Sequence, residues 1–303
     1  MERTITYKIT DSGQNIRIDS FLRKHGYSMQ NLTLLKKMPE SILKNGEWSY
    51  MQTTLQAGDI LTVRIQEETS SPNIPAVNLP IDIVYEDEDI IVINKAAGMP
   101  IHPSLNNYRN SLANALMWYY EQQNKPFIFR CTNRLDRDTS GLIIAAKNDM
   151  AHLSLSEQLQ DHSLARTYEA IVVGSFRAET GTVDAPIARH RTDRKRMAVA
   201  ADGRRAVTHW KVLERYSGYT HIQCNLETGR THQIRVHMAY IGHPVLGDPV
   251  YGGKRKETFG LTGQCLHARK LAFQHPRTGE RMEVECPLPD YFQEVLRKLS
   301  MRK

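Results

Sequence analysis

The chain has 303 residues, of which 40 are Lys or Arg and 33 are Asp or Glu, so its formal net charge is +7. This length suits about two domains, and the basic balance is compatible with a phosphate-bearing partner. No apolar run approaches the roughly 18 residues that a membrane span needs, and the amino terminus lacks the apolar segment of a signal peptide, so we expect a cytoplasmic protein without a membrane partner.

Residues 1–65 have the pattern of a small α+β domain. Apolar residues at helical spacing predict one helix near residues 18–22 and a second at residues 32–38. The Asn45-Gly46 pair is a hairpin turn signal, and the strand-like residues 60–65 close the unit. Two helices followed by hairpin strands therefore make up the first predicted domain.

Residues 66–80 contain three prolines and two serines without sustained periodicity, and we interpret them as a linker. Residues 81–303 are then a second, larger domain. Its strand-like runs follow one another with few crossover helices, which favours an α+β fold with a mixed, mostly antiparallel sheet, flanking helices and a central cleft. The predicted strands lie near 83–85, 90–93, 142–146, 168–173, 207–213, 219–226 and 265–273, and the predicted helices near 112–119, 149–162 and 231–241.

The most informative segment is residues 131–146, which read CTNRLDRDTSGLIIAA. Asp136 lies between Arg134 and Arg137, just ahead of a Ser-Gly turn and an apolar, strand-like run. Nearby cations keep such a carboxylate ionised at neutral pH, which suits a nucleophile or a base. A structural ion pair at the entry to a strand explains the same pattern, and these residues alone leave both interpretations open.

A second segment, LETGRTHQIRVH, brings cationic and imidazole side chains to the junction of a loop and a helix. Arg235 lies next to the apolar stripe of this helix, so we expect it to point inward, where a guanidinium can hold a carboxylate. Arg230, His232 and Gln233 are its neighbours. The alternative is a solvated basic helix face.

In RTYEAIVVG, Tyr168 alternates with Ala170 and Val172 and so shares their face of a strand. If that face borders the cleft, the ring can stack on a base and the hydroxyl can form hydrogen bonds; otherwise Tyr168 is an ordinary core residue.

Residues 189–205 are strongly basic, with seven Lys or Arg against two Asp. An Asp202-Gly203 turn signal predicts a hairpin arm here, and a basic arm beside a cleft neutralises phosphates. A flexible, solvated charged segment is the alternative. The predicted RNA-binding cations of this arm are Arg189, Arg191, Arg194, Lys195, Arg196, Arg204 and Arg205.

No cofactor or metal is expected. Phosphate-loop and dinucleotide signatures are absent from the sequence, the four cysteines are scattered, and the histidines do not form a HExxH pair. The EDED run at residues 86–89 is the one dense acidic cluster, and we interpret it as a hairpin turn.

Over roughly residues 83–289 the chain resembles the RluA family of RNA pseudouridine synthases. The motifs are NKAAGMPIHPS, NRLDRDTSGLIIAAK, RTYEAIVVG, LETGRTHQIRVHMAYIGHPVLGDPVYG and LHARKLAFQHP, in the order of the family. The first domain resembles the small RNA-binding domain of ribosomal protein S-four through IDSFLRKHG and LQAGDILTVRI.

The resemblance implies a role for each of four residues. Asp136 matches the catalytic aspartate, Arg235 the arginine that pairs with it, and Tyr168 the stacking tyrosine that also serves as acid or base. Arg134 matches the position that helps to displace the target uridine. Arg230, His232 and Gln233 are given a supporting role only. The chain departs from the family where Asn133 replaces a common His and Ala96 a usual Pro.

The implied reaction is the isomerisation of uridine to pseudouridine in structured RNA, after the target base has been flipped out. Ribosomal RNA of the large subunit is the expected substrate, with tRNA as an alternative, and the enzyme is expected to be a monomer. Asp136 either attacks the anomeric carbon or removes the neighbouring ribose proton. Two other classes compete with this interpretation: a noncatalytic RNA-binding factor and a metal-dependent nuclease built on the EDED cluster.

Overall fold

The computed structural model describes residues 2–25, 27, 29–66, 70–71, 73–105, 107–193, 196–253 and 257–302. They form six α-helices: α1 (Ile18–Lys24), α2 (Met29–Lys37), α3 (Leu112–Glu121), α4 (Asp149–Gln160), α5 (Gln233–Tyr240) and α6 (Asp290–Ser300). They also form sixteen strands: β1 (Glu2–Lys8), β2 (Ile42–Lys44), β3 (Glu47–Trp48), β4 (Ile60–Gln66), β5 (Ile83–Glu86), β6 (Ile90–Lys95), β7 (Arg130–Cys131), β8 (Ser140–Ala146), β9 (Ala165–Val173), β10 (Thr180–Asp184), β11 (Ile187–Arg189), β12 (Met197–Val199), β13 (Val207–Tyr216), β14 (Tyr219–Leu226), β15 (Leu266–Gln274) and β16 (Arg281–Glu285). Within these ranges no helix has the length and apolarity to cross a membrane.

The amino-terminal unit packs α1 and α2 on a four-stranded antiparallel sheet with the order β1-β4-β2-β3. Phe21 and Leu22 of α1 meet Leu61 and Val63 of β4 in its core. Strand β1 pairs with β4 along its whole length, although the sequence did not predict it. The signal was nevertheless present, because Ile5, Tyr7 and Ile9 alternate with exposed polar residues as in a half-buried strand. Met150 of α4 packs against this core and joins the unit to the rest of the chain.

The second sheet has ten strands, with β10-β13-β14-β9-β15-β8-β6-β5 as its main path. Strand β16 pairs with β15, and β7 pairs with β8. Every pairing is antiparallel except that of β15 with β8. The predicted mixed, mostly antiparallel sheet with flanking helices is confirmed.

Helices cover both faces of the sheet, which explains why β8 is apolar from Leu142 to Ala146. Ile143 and Ala145 of β8 face α3 and α5 on one side. Leu142 and Ile144 face α4 on the other. All seven residues of β8 are buried, so the strand reads as a continuous apolar run without alternation. Strand β9 divides in the same way, with Tyr168 on the face of α3 and α5.

The proline-rich segment before β5 is tied to the large sheet by hydrogen bonds. The Ser71 amide donates to the Phe127 carbonyl at 3.1 Å, and the side chain of Ser71 accepts from the Phe129 amide at 3.0 Å. Asn114 of α3 donates to the Pro75 carbonyl at 2.7 Å. The described part of this segment therefore runs along the larger unit as fixed structure.

The basic arm is a hairpin, but its turn differs from the prediction. Strands β11 and β12 pair antiparallel, so the chain reverses direction between these two strands. The Asp202-Gly203 turn comes after β12 and returns the chain to a bridge between Ile187 and Arg204. A Cβ on Gly203 would lie 2.6 Å from the Ile187 carbonyl carbon, so glycine is needed for this close approach.

The EDED run forms the predicted turn between β5 and β6, and its polar atoms are engaged. Asp87 accepts hydrogen bonds from the Asp89 and Ile90 amides and pairs with His275 at 2.6 Å. Asp89 accepts from Asn148 and pairs with Arg277 at 3.1 Å. The ligand-type atoms of Asp87, Asp89 and His275 lie within 4.8 Å of one another, and this network satisfies them as a structural cluster.

Gly141, at the start of β8, is expected to tolerate no side chain. Its φ is +108°, and a Cβ would lie 2.3 Å from the Ala268 carbonyl oxygen of the adjacent β15. Backbone atoms cannot move aside cheaply, so overpacking and the positive φ together should lower the free energy of unfolding of Gly141→Ala by about 2–5 kcal/mol. Denaturant titration measures this loss.

Gly218→Ala is the matched control, because Gly218 has a φ of +76° with no atom within 4 Å of its Cβ position. Its loss should be confined to backbone strain of about 1–2 kcal/mol. Equal losses in the two variants would contradict the steric explanation.

Candidate active site

The Asp136 loop joins β7 to β8 and is held from two sides. Asn133 is buried; its amide nitrogen donates to the Leu142 carbonyl at 3.2 Å and its oxygen accepts from the Ile144 amide at 2.8 Å. Lys95, at the end of β6, donates to the carbonyls of Ala96, Met99 and Arg137 at 2.8–2.9 Å. Burial lowers the pKa of Lys95 to about 7, although the charges of Asp138 and Asp136 oppose the shift. The three carbonyl acceptors also favour the ammonium. Because all three donors have acceptors, we assign Lys95 as charged.

Asp136 meets the inward-pointing Arg235 of α5. Nη1 of Arg235 donates to Oδ2 of Asp136 at 2.9 Å. The other side of the same guanidinium donates two hydrogen bonds to Asp248, from Nε to Oδ2 at 2.7 Å and from Nη2 to Oδ1 at 3.0 Å. Arg137 turns away and pairs with its neighbour Asp138 at 2.9 Å. The cation beside Asp136 is therefore the distant Arg235 rather than its neighbour in sequence.

Arg235 is fixed by burial and by its two carboxylate partners. Only 5% of its side chain is exposed, compared with 0% for Asp248 and 25% for Asp136. Burial acts to lower the pKa of Arg235, but the hydrogen bonds and charges of Asp248 and Asp136 outweigh it and raise that pKa. Asp248 is held in turn by the amides of Val250 and Tyr251.

His232 precedes α5 in the left-handed conformation, with a φ of 58°. Its Nε2 lies 3.9 Å from Oδ1 of Asp136, and its Nδ1 lies 2.9 Å from the Tyr251 hydroxyl. That hydroxyl accepts the Met197 amide at 2.8 Å, which leaves its own proton for Nδ1 of His232. Burial lowers the pKa of His232, and the nearby Asp136 opposes that shift. The neutral imidazole thus presents its Nε2 proton to Asp136.

Tyr168 lies on β9 and lines the same cavity as Asp136. It is 5% exposed, and burial raises the pKa of its hydroxyl, with Arg166 acting in the opposite direction. Tyr168 is therefore a phenol at neutral pH. No residue in the described ranges hydrogen-bonds its hydroxyl, so that group is available to a ligand in the cavity.

Gln233 supports the loop before α5. Its oxygen accepts from the Thr228 hydroxyl at 2.8 Å and from the Arg230 amide at 3.0 Å, while its nitrogen donates to the Val207 carbonyl at 2.9 Å. This buried amide therefore fastens the loop to β13.

The cavity has a volume of about 580 Å³. It brings together most of the residues singled out in the sequence: Arg134, Asp136, Tyr168, Arg205, Arg230, His232, Gln233 and Arg235. Arg189, Arg191, Arg196 and Arg204 lie on or beside the basic arm, outside the cavity lining. Arg194 and Lys195 lie outside the described residues. The arrangement offers a half-exposed carboxylate beside an aromatic ring in a cation-lined pocket, which suits attack on, or proton abstraction from, a bound polyanion.

Two residues of the site, Asp248 and Tyr251, were not identified from the sequence. Both lie in the LGDPVYG part of a quoted motif, where a Gly-Asp-Pro turn signals only a loop. Their partners Arg235 and His232 precede them by 13 and 19 positions, and local pattern does not pair residues at such separations.

Residues 89–240 match the family described as RNA pseudouridylate synthase. The chain is 42% identical over 290 residues to an uncharacterised RNA pseudouridine synthase of Bacillus subtilis, YlyB, covering 93% of this chain and 94% of that protein. It is 38% identical over 306 residues to ribosomal large subunit pseudouridine synthase D of Xanthomonas campestris, covering 96% and 91% respectively.

The fold has a solved counterpart in human RNA pseudouridylate synthase domain containing 1. The TM-score is 0.59 at 25% sequence identity, and the match covers 75% of this chain and 97% of that one. Fold, motifs and site geometry agree with the sequence matches. The chain belongs to the RNA pseudouridylate synthase family.

Proposed function

We propose that this enzyme converts specific uridines of large-subunit ribosomal RNA to pseudouridine, with Asp136 acting on a flipped-out nucleotide. The observation that carries this is the hydrogen bond of Arg235 to Asp136 at 2.9 Å in a cavity that Tyr168 also lines. The ribosomal substrate is supported by relatives named ribosomal large subunit pseudouridine synthase D, which include one in Xanthomonas campestris. One copy of the chain carries all of these groups, so we propose a monomer acting in the cytoplasm.

Asp136 is the group that we assign to the ribose. Arg235 engages one carboxylate oxygen, Oδ2, and leaves Oδ1 facing the cavity. Attack at the anomeric carbon and removal of the neighbouring ribose proton are the two alternatives, and each needs an ionised carboxylate. Each releases the base by breaking the bond between the anomeric carbon and the nitrogen of the base. The freed uracil then rotates and rejoins the sugar through carbon five.

Tyr168 is the group that we assign to the base. Its ring offers a stacking surface that retains uracil during the rotation. Its hydroxyl is kept protonated by burial. We assign it the transfer of its own proton to the base nitrogen that was released from the sugar, while it accepts the proton of carbon five, so that one proton moves from carbon to nitrogen overall. Arg134 is exposed at the rim of the cavity, where we propose that it fills the gap left by the displaced uridine.

Asp248 is proposed as the residue that positions the catalytic pair. Asp248 accepts hydrogen bonds from two of the three guanidinium nitrogens of Arg235, Nε and Nη2. The third nitrogen, Nη1, is directed at Asp136. Nε2 of His232 lies 3.9 Å from the other oxygen of Asp136, Oδ1, which is beyond hydrogen-bond distance and leaves that oxygen to the substrate. The Arg230 amide donates to the side chain of Gln233, and this bond holds the loop that leads into α5.

We further propose that residues 1–65 form an RNA-binding domain, followed by a linker at 66–80 and a catalytic domain at 81–303. Trp48 and Tyr50 support this assignment, because they are 51% and 63% exposed and meet edge to face at 4.3 Å. Trp48 lies on edge strand β3, in register with Leu43 and Thr62 of the outer sheet face. Exposed aromatic rings on a sheet are a stacking platform for unpaired bases.

Asp136→Asn is expected to abolish isomerisation, with a rate at least about 10³-fold below that of the native enzyme, because the amide is neither nucleophile nor base. The assay mixes pure protein with a large-subunit ribosomal RNA transcript and maps pseudouridines. RNA binding should persist, because the basic arm is untouched.

Asp138→Asn is the control, since its carboxylate pairs with Arg137 and not with Arg235. It should retain a near-native rate. A fully active Asp136→Asn enzyme would refute the mechanism, and absence of pseudouridine in the transcript with native protein would refute the ribosomal substrate.

Asp248→Asn is expected to lower kcat while leaving KM for RNA nearly unchanged, because Arg235 loses the partner that directs Nη1 at Asp136. Breaking a buried ion pair should also reduce the free energy of unfolding by about 3–5 kcal/mol. Steady-state kinetics and denaturant titration measure the two effects.

The comparison variant is Asp149→Asn, which removes a partly exposed partner of Arg130 away from the cavity. Its kcat should stay native. An Asp248→Asn enzyme with native kcat would exclude the positioning role even if its stability were reduced.

The double variant Trp48→Ala, Tyr50→Ala is expected to raise KM for the ribosomal substrate by about tenfold, since each stacked base contributes about 1–3 kcal/mol. Its kcat and Tm should stay native because both rings are exposed. Leu213→Ala, which removes an exposed apolar side chain from β13, is the control. An unchanged KM in the aromatic variant would remove this surface from RNA binding.

A further inference from the structure

Arg166 is a buried cation in the catalytic cavity that the reaction described above does not use. It lies on β9 two residues before Tyr168, and therefore on the same face of the strand. Only 9% of the residue is exposed, and it lines the cavity together with Asp136 and Tyr168.

The guanidinium of Arg166 has no anionic partner. Across the described ranges it forms no hydrogen bond and no ion pair, and its fully buried Nε has no acceptor. Three of the other four cavity arginines have partners, and the fourth, Arg134, is exposed to solvent. Arg235 holds two carboxylates, and Arg205 pairs with Glu227 at 2.9 Å. Arg230 donates to the Arg205 carbonyl at 2.9 Å.

The surrounding backbone is shaped around this guanidinium. A Cβ on Gly229 would lie 2.7 Å from Nη1 of Arg166, so any larger residue at position 229 would displace the side chain. The loop that carries Gly229 is fixed by Thr228 and Arg230, which both bond to Gln233. Arg166 is thus held in a preformed position with its charge uncompensated.

A buried charge without a partner is costly, and such a group persists where a ligand supplies the missing counter-charge. Five arginines and one aspartate line the cavity, so the ligand at this position is an anion. The Nε and Nη atoms of arginine form a planar fork that matches two oxygens of a phosphate. The carbonyl groups of a nucleobase are neutral, so binding one of them would leave the charge of Arg166 unbalanced.

We propose that Arg166 binds a backbone phosphate of the RNA, at one of the two linkages that flank the target uridine. This rests on the proposed function, in which the ribose of that uridine sits at Asp136. The phosphorus atoms attached to the same sugar are only two bonds from the ribose ring on the 3′ side and three on the 5′ side, so a phosphate can reach the cavity that Arg166 and Asp136 share. The contact fixes the sugar while the base rotates at Tyr168.

The test combines a protein change with a change in one phosphate. Arg166→Met keeps the length of the side chain and removes its charge. On native RNA its kcat/KM should fall about 10- to 100-fold, as expected for loss of a charge-assisted hydrogen bond. Native enzyme should show a similar loss on RNA that carries a neutral methylphosphonate at one flanking linkage. Arg166→Met on that modified RNA should show no additional loss.

Two further variants separate the contact from folding. Arg166→Met should have a native or raised Tm, because it removes an unpaired buried charge, whereas a structural role predicts a lower Tm. Arg166→Lys should keep part of the lost rate. Gly229→Ala should reduce the rate of the native enzyme but not that of Arg166→Met, since it acts by displacing Nη1. Arg297→Met, on the exposed face of α6, is the control and should be native in all assays.

Additive losses from Arg166→Met and each neutral linkage would overturn the phosphate contact. So would a lowered Tm with an unchanged response to the linkage. In both cases native enzyme still forms pseudouridine in unmodified RNA, so the proposed function stands. If native enzyme forms none, the proposed function fails, and with it the inference.

Discussion

The site depends on a single buried guanidinium shared by two carboxylates. Arg235 gives Nε and Nη2 to Asp248 and Nη1 to Asp136. Because the fork of arginine is planar and rigid, the position of Asp248 determines the direction from which Asp136 is held. Asp136 is engaged through Oδ2, whereas no hydrogen bond to Oδ1 forms within the described residues. Because Arg235 and Asp248 are buried, removing one of them would leave the other as an unpaired buried charge, which is strongly unfavourable.

The large sheet brings the partners of this interaction together from distant parts of the chain. Asp136 lies just ahead of β8, Tyr168 lies within β9, and α5 follows β14. Strand β15 stands between β8 and β9 and pairs with both. The parallel pairing of β15 with β8 requires the close approach at Gly141, where a side chain would meet the backbone of Ala268. The position of Asp136 and the packing of the sheet therefore depend on the same short segment, from Asp136 to Gly141.

Periodicity and turn chemistry predicted most elements near the site, because each is encoded locally. The apolar run of β8, the helical spacing of α3 and α4 and the Asn45-Gly46 turn all matched the structure. Strand β1 was not predicted, although its alternating residues mark it locally. The reversal between β11 and β12 was not predicted either, because Asp202-Gly203 gave the stronger local turn signal. The neighbours of Asp136 in sequence could suggest a charged site. They could not identify Asp248, which is linked to Asp136 only through Arg235. That link forms only after α5 and the following loop have folded back.

The Tyr251 hydroxyl joins the basic arm to the surroundings of Asp136. It accepts the amide of Met197 on the basic arm and bonds to His232, which faces Asp136. The Tyr251 ring also lies under Arg196 of the arm at 5.5 Å and under Arg235 at 5.2 Å. Binding energies linked through a shared element are reciprocal. Any free-energy coupling between the arm and the Asp136 site that passes through Tyr251 therefore acts equally in both directions.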